Sequence, residues 1–288
     1  MWQHKELALS QHQSIAYLEW LPQQPAVHTL VFIHGWMDNL ASFHPFQSLI
    51  AEHGENWRVI MLDLPGHGHS SHKSDSNYYH FFDYIDDLAQ VLDKIQAVKP
   101  VLIGHSLGAL IASCYSACFS ESVAGLVQIE GHFPIAEDDS HVVARLKSSI
   151  QSRKQWRSSE TKKLPSFEMA VQMRMRATKL DCDTVSPIVE RDVIWRSDTQ
   201  AWYWRHDRRL KCESIYRMTP QHSKQLMASV TVPHLVILGR QGYRQLQQTQ
   251  YLELLTRANI VYVDGDHHCH LESPWPVFEQ ILTLVNKI

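Results

Sequence analysis

A serine with glycines two positions away on either side, Gly104-His105-Ser106-Leu107-Gly108, follows the apolar run Val101-Leu102-Ile103 and precedes a stretch of small residues ending near Ala117. Strand, sharp turn and helix in that order make a nucleophile elbow. The turn forces its serine into strained backbone. Glycine-sized residues are needed on both sides because strand and helix nearly touch there. The hydroxyl then stands above the sheet edge, at a helix N-terminus whose amides stabilise negative charge. Ser106 is therefore the candidate nucleophile.

A serine hydroxyl needs a base within hydrogen-bond reach. The loop after the last strand reads Val263-Asp-Gly-Asp-His267-His268-Cys-His270-Leu-Glu-Ser-Pro274, and such a loop lies on the same face of a sheet as the elbow. His267 is the expected base, from its place relative to the Leu271-Glu272 helix entry, with His268 as the alternative. His267-x-x-His270 lacks a third ligand, so neither a metal nor a cofactor is expected.

The base in turn needs a carboxylate to hold its tautomer. The loop after the penultimate strand, Leu238-Gly-Arg-Gln-Gly242-Tyr-Arg244, has glycine where that acid usually stands. Glu130 ends the strand before it and offers a longer arm from the same sheet edge. Glu130 is the expected acid, with Asp38 or a bare Ser–His dyad as alternatives. The amides of Leu107 and Trp36 are the expected oxyanion donors. Trp36, His105 and Trp202 are the expected substrate contacts. Asp38 and Asn39 read as loop braces, and His67 and His69 as structural.

These residues need a scaffold that brings distant segments to one edge. Short strands (4–10, 14–20, 27–33, 58–62, 101–103, 123–129, 234–238, 260–263) alternate with helical patterns near 42–53, 80–97, 245–257 and 274–287. The fold class is therefore α/β, a mostly parallel sheet with helices on both faces. After Pro134 the alternation stops. Residues 134–225 hold 18 Lys and Arg against 12 Asp and Glu, and the rest of the chain 9 against 18. Residues 1–133 and 226–288 are thus expected to form the core, and 134–225 an inserted helical cap.

The net charge of −3 gives no sign of a nucleic-acid partner. No apolar run approaches the roughly 20 residues of a membrane helix. The N-terminus carries no secretion pattern, and five scattered cysteines suit reduced thiols. A cytoplasmic protein acting on a small ester or acyl substrate is expected. Oligomeric state is not legible.

His34-Gly35-Trp36, Asp63-Leu-Pro-Gly-His-Gly-His-Ser70, the elbow and the His267 loop, in that order, resemble the α/β-hydrolase superfamily. The segments His-Gly-Trp-Met-Asp-Asn and His-His-Cys-His-Leu-Glu are similar to its serine hydrolase-like branch. An acid after the sixth strand resembles the haloalkane dehalogenase layout, although those enzymes use an aspartate nucleophile. The resemblance implies a helical cap over the active site. It also implies serine-dependent cleavage of carboxylic esters through an acyl-enzyme. Thioester, lactone, amide or C–C cleavage, acyl transfer, and ligand binding without catalysis remain alternatives.

Overall fold

A computed structural model describes residues 1–54 and 56–288. Strands β1 (Trp2–Ala8) and β2 (Ser14–Trp20) form a hairpin. They are followed by β3 (His28–Ile33), helix α1 (Phe46–His53), β4 (Trp57–Leu62), α2 (Phe81–Lys94), β5 (Val101–His105), α3 (Leu107–Cys118) and β6 (Gly125–Ile129). Between β6 and the next strand of the sheet lie α4 (Val142–Ser158), α5 (Phe167–Thr178), α6 (Cys182–Asp192), β7 (Val193–Arg196), β8 (Ala201–Trp204) and α7 (Pro220–Ala228). The chain ends with β9 (His234–Gly239), α8 (Thr249–Leu252), β10 (Ala258–Val263), α9 (Cys269–Glu272) and α10 (Pro274–Val285).

The main sheet has the order β1-β2-β4-β3-β5-β6-β9-β10. Its β1–β2 and β2–β4 pairs are antiparallel, and every later pair is parallel. The parallel strands are continuous apolar runs because both faces are covered. Leu30 and Phe32 of β3 pack with α1 and α10, through Phe46, Ile50, Phe278 and Ile281. Val31 and Ile33, the alternate residues, pack on the opposite face with α2 and α3, through Leu88, Leu92, Ile111 and Tyr115. A period of two along the strand thus dictates a three-layer molecule. Among the described residues no helix is long and apolar enough to cross a membrane.

Two expectations need correction. The segment between β6 and β9 is not wholly helical. Val193-Ile-Trp-Arg and Ala201-Trp-Tyr-Trp form an antiparallel ribbon in which Trp195 faces Trp202. β-Branched and aromatic side chains favour that pairing, and the charged residues around them hide it in a helical reading. Nor does a continuous helix span 245–257: a turn at Arg244–Gln247 and the short α8 replace it. Leu255 is the one buried side chain between 245 and 257, so little apolar contact supports a longer helix.

The elbow sets the tightest steric limit in the fold. A β-carbon on Gly108 would lie 2.0 Å from the Ile33 carbonyl oxygen, and one on Gly104 would lie 2.3 Å from the Ala109 nitrogen. Both obstacles are backbone atoms that cannot swing aside. Gly108→Ala should therefore cost about 3 kcal/mol, the upper end of ordinary overpacking. Urea unfolding of the variant against wild type measures this, and an unchanged midpoint would contradict the packing argument.

Candidate active site

Ser106 sits between β5 and α3 with φ 49° and ψ −114°, a conformation that side-chain-bearing residues avoid. Its N–H donates to the Ile129 carbonyl at 2.9 Å, and its carbonyl accepts from Ala109 and Leu110 at 3.0 and 3.2 Å. The strain is thus held by bonds on both sides. Leu107 is the first residue of α3, so its N–H has no acceptor within the helix. It stands beside the serine where an oxyanion would form.

Glu130 follows β6 with φ 49° and is 1% exposed. Its Oε1 accepts from the Gly239 N–H at 2.8 Å and its Oε2 from the Tyr243 N–H at 3.2 Å. The same Oε2 lies 3.2 Å from His267 Nδ1. Two backbone donors therefore fix the carboxylate before it meets the imidazole. A proton held on Nδ1 leaves the lone pair on Nε2, as a general base requires. Gly242 acquires a clear meaning here. A β-carbon on it would lie 2.3 Å from Glu130 Oε1 and 2.6 Å from Cδ. The Glu130 carboxylate fills the space into which a side chain at 242 would project.

His267 is held from two further directions. The Tyr243 ring stacks on it at 4.0 Å between centroids and 22° between planes. His105 Nε2 donates to its carbonyl at 2.8 Å, with the two rings 4.9 Å apart. Since His105 precedes Ser106, this bond ties the histidine loop to the elbow. His268 does not reach Glu130; its Nε2 lies 3.8 Å from Asp38 Oδ2.

The turn after β3 carries the second expected oxyanion donor. Met37 adopts φ 61°, and its N–H is engaged by His67 Nε2 at 3.3 Å. The Trp36 N–H is the preceding amide of that turn. Arg174 of α5 donates to the Met37 carbonyl at 2.8 Å and pairs with the buried Asp38 carboxylate. Burial alone would raise the Asp38 carboxyl, but the Arg174 guanidinium brings it below the ordinary carboxylate range. Arg191 of α6 makes a similar link to buried Asp63, with Nη2 2.7 Å from Oδ2. The segment between β6 and β9 is thus fastened by buried charge pairs to two loops at the carboxyl edge of the sheet.

A cavity of about 380 Å³ opens over Ser106 and Leu107. Its walls include Trp36, Phe81, Phe82, Tyr84, Leu110, Leu210 and Met218. The Trp36 indole is fixed there by a 3.0 Å bond from Nε1 to the Leu210 carbonyl. Two expected substrate contacts lie elsewhere. Trp202 packs in the ribbon against Trp195 and Phe167, because aromatic residues facing each other across paired strands bury one another. His105 is 1% exposed beneath the elbow and supports His267 rather than facing the cavity. Among the described residues no group of three or more His, Cys, Asp or Glu is placed to hold a metal. His270 instead packs between Phe43 and His105.

Sequence reasoning missed Tyr243 and Arg174. Tyr243 had a signal: it follows the glycine that replaces the usual acid. Arg174 had none, since nothing in its local sequence distinguishes it from the other basic residues of 134–225.

Burial holds His67, His105 and His270 well below their ordinary pKa, and His234 down to about 4. These imidazoles are neutral in the fold and take up protons near 6.5 when unfolded. Stability is therefore fully present above pH 6.5 and is lost as pH falls toward the folded values. Each contributes up to about 1.4 kcal/mol per pH unit in that window. Urea unfolding between pH 7 and pH 5 should show a slope of more than one proton. His270→Leu should make it shallower by about one, and an unchanged slope would mean that His270 titrates normally.

A family model described as alpha/beta hydrolase fold matches residues 28–162. Sheet order, elbow and histidine loop agree with that match, and the chain has the α/β-hydrolase fold. In sequence it is similar to the serine hydrolase-like proteins. That of Danio rerio is 24% identical over 254 residues, covering 84% of this chain and 76% of the relative. Among solved structures, a hypothetical protein of Pseudomonas aeruginosa PAO1 superposes with a TM-score of 0.85 at 25% identity, covering 98% of this chain and 97% of that one. An esterase of Mycobacterium tuberculosis is 27% identical over 205 residues, 70% of this chain and 63% of that protein. Its structure superposes with a TM-score of 0.72 over 99% of this chain and 92% of that one.

Proposed function

We propose that the protein is a serine hydrolase cleaving carboxylic esters of small to medium size, with Ser106, His267 and Glu130 as its triad. The observation that carries this is the strained serine opening onto an apolar cavity, with a carboxylate-held histidine tied to the same elbow. The kinship with serine hydrolase-like proteins and the likeness to an esterase support the same reading.

Ser106 Oγ attacks the ester carbonyl carbon while His267 Nε2 takes its proton. The carbonyl oxygen becomes an oxyanion held by the Trp36 and Leu107 amides, with each donor worth about 3–4 kcal/mol in comparable sites. Glu130 stabilises the imidazolium without taking its proton. Collapse expels the alcohol, which leaves with the proton from His267. Water then gives a proton to His267 and attacks the acyl-serine, and the carboxylic acid departs as Ser106 recovers its proton. Residues 134–225 act as a cap that walls the cavity and excludes water, fastened through Arg174 and Arg191.

A fluorophosphonate probe tests the nucleophile directly. Stoichiometric labelling that maps to Ser106, together with a burst of para-nitrophenol from para-nitrophenyl acetate, is the expected result. A wild-type protein that neither labels nor turns over short esters would overturn the reading in favour of a ligand-binding role.

A further inference from the structure

Arg217 is the one charged residue among the described residues lining the cavity over Ser106. The rest of the wall is aromatic, aliphatic or neutral, including Phe81, Phe82, Leu110 and Met218. A lone cation in such a wall is the kind of sparse polar group that orients a ligand in an apolar pocket. Arg217 also borders a neighbouring pocket that Glu137, Asp138 and Asp139 line, but the two carboxylates that act on it most, Glu137 and Glu213, are engaged by another arginine. Arg145 Nε lies 2.7 Å from Glu137 Oε2, and Arg145 Nη1 lies 3.1 Å from Glu213 Oε2. Among the described residues no ion pair or side-chain hydrogen bond holds the Arg217 guanidinium. Burial and then the positive charge of Arg145 lower its basicity, with Glu137 and Glu213 opposing. An incoming anion would offset the repulsion from Arg145 and compensate the guanidinium for the water it has lost.

We infer that this cavity takes esters whose acyl chain ends in an anion, with the chain on the apolar wall and the anion on the Arg217 guanidinium. The inference rests on the proposed hydrolase reading only in placing the ester carbonyl at Ser106. A guanidinium fork suits a carboxylate or a phosphate-class oxyanion equally. A neutral acyl chain of the same length would leave the cation unpaired.

The test compares para-nitrophenyl hexanoate with the mono-para-nitrophenyl ester of adipic acid and with a matching ester ending in a phosphonate. Binding is measured by titration into Ser106→Ala, so that it does not depend on turnover. At least one anionic ester should bind about tenfold tighter than the neutral one, as a charge-assisted bond implies. The tighter of the two names the anion. In Ser106→Ala/Arg217→Leu the three should bind alike, and Arg217→Lys should keep part of the preference because it keeps the charge. In protein with Ser106 intact, the same preference should appear mainly in KM. Equal binding of all three esters to Ser106→Ala, or a preference that survives Arg217→Leu, would overturn the inference. Anion preference in binding without any turnover by wild type would support it and sink the hydrolase reading instead.

Discussion

Ser106→Ala and His267→Ala should each lower kcat on a reactive ester by about 10⁶-fold, and the double variant should be no worse than either. The expectation follows from how the two groups are held. Ser106 Oγ is a weak nucleophile until a base removes its proton. His267 is a competent base only while Nδ1 faces Glu130 Oε2 and Nε2 is left open. On the proposed mechanism neither group acts without the other, so their effects should not add. A residual rate about 10³–10⁴ above water should persist, supplied by the cavity and the Trp36 and Leu107 amides. His268→Ala should cost far less, since its ring meets Asp38 and not Glu130. Steady-state rates of the purified variants decide it. A His268 effect as large as that of His267 would reassign the base.

The sheet was legible because each parallel strand is a run of apolar residues between turn signals, and the helices show a period near 3.6. Strand limits shifted by a residue or two, as with Gly125–Ile129 against the expected 123–129, because local pattern does not reveal where pairing stops. The ribbon of β7 and β8 was not legible. Each of its strands has four residues, and what stabilises it is the facing of Trp195 and Trp202 across a turn. The same pairing explains why Trp202 is not in the cavity wall. An aromatic residue reads the same in sequence whether it faces a ligand or another tryptophan.

The contacts of Arg174 and Arg191 were invisible for a related reason. Their partners, Asp38 and Asp63, stand more than 100 positions earlier. Within their own helices both arginines look like surface charge. In the fold each meets a carboxylate buried to at least 97%, where leaving one partner alone is costly. Glu130 was approachable through an absence, the missing acid at 242, but its two backbone donors were not. Gly239 and Tyr243 reach it only because β6 and β9 are neighbours in the sheet.

Exchanging the acid between strands should separate position from identity. Glu130→Gln should lower kcat by about 10⁴-fold, because an amide cannot hold the imidazolium or enforce its tautomer. Gly242→Asp alone should also be harmful. Its new β-carbon would lie 2.3 Å from Glu130 Oε1, and a second carboxylate would crowd the first. Glu130→Gly is the permissive partner. It removes the obstructing carboxylate at a residue whose φ of 49° glycine adopts readily. Glu130→Gly/Gly242→Asp should therefore be at least about tenfold more active than Glu130→Gly, and more stable than Gly242→Asp. The two changes would then be strongly non-additive, as expected of groups competing for one space. A double-mutant cycle on kcat, with urea midpoints for the same four proteins, measures both effects. If Gly242→Asp proves neutral in the wild-type background, or the double variant is no better than Glu130→Gly, the carboxylate over Gly242 is not what orients His267. The Ser–His pair would then be working as a dyad.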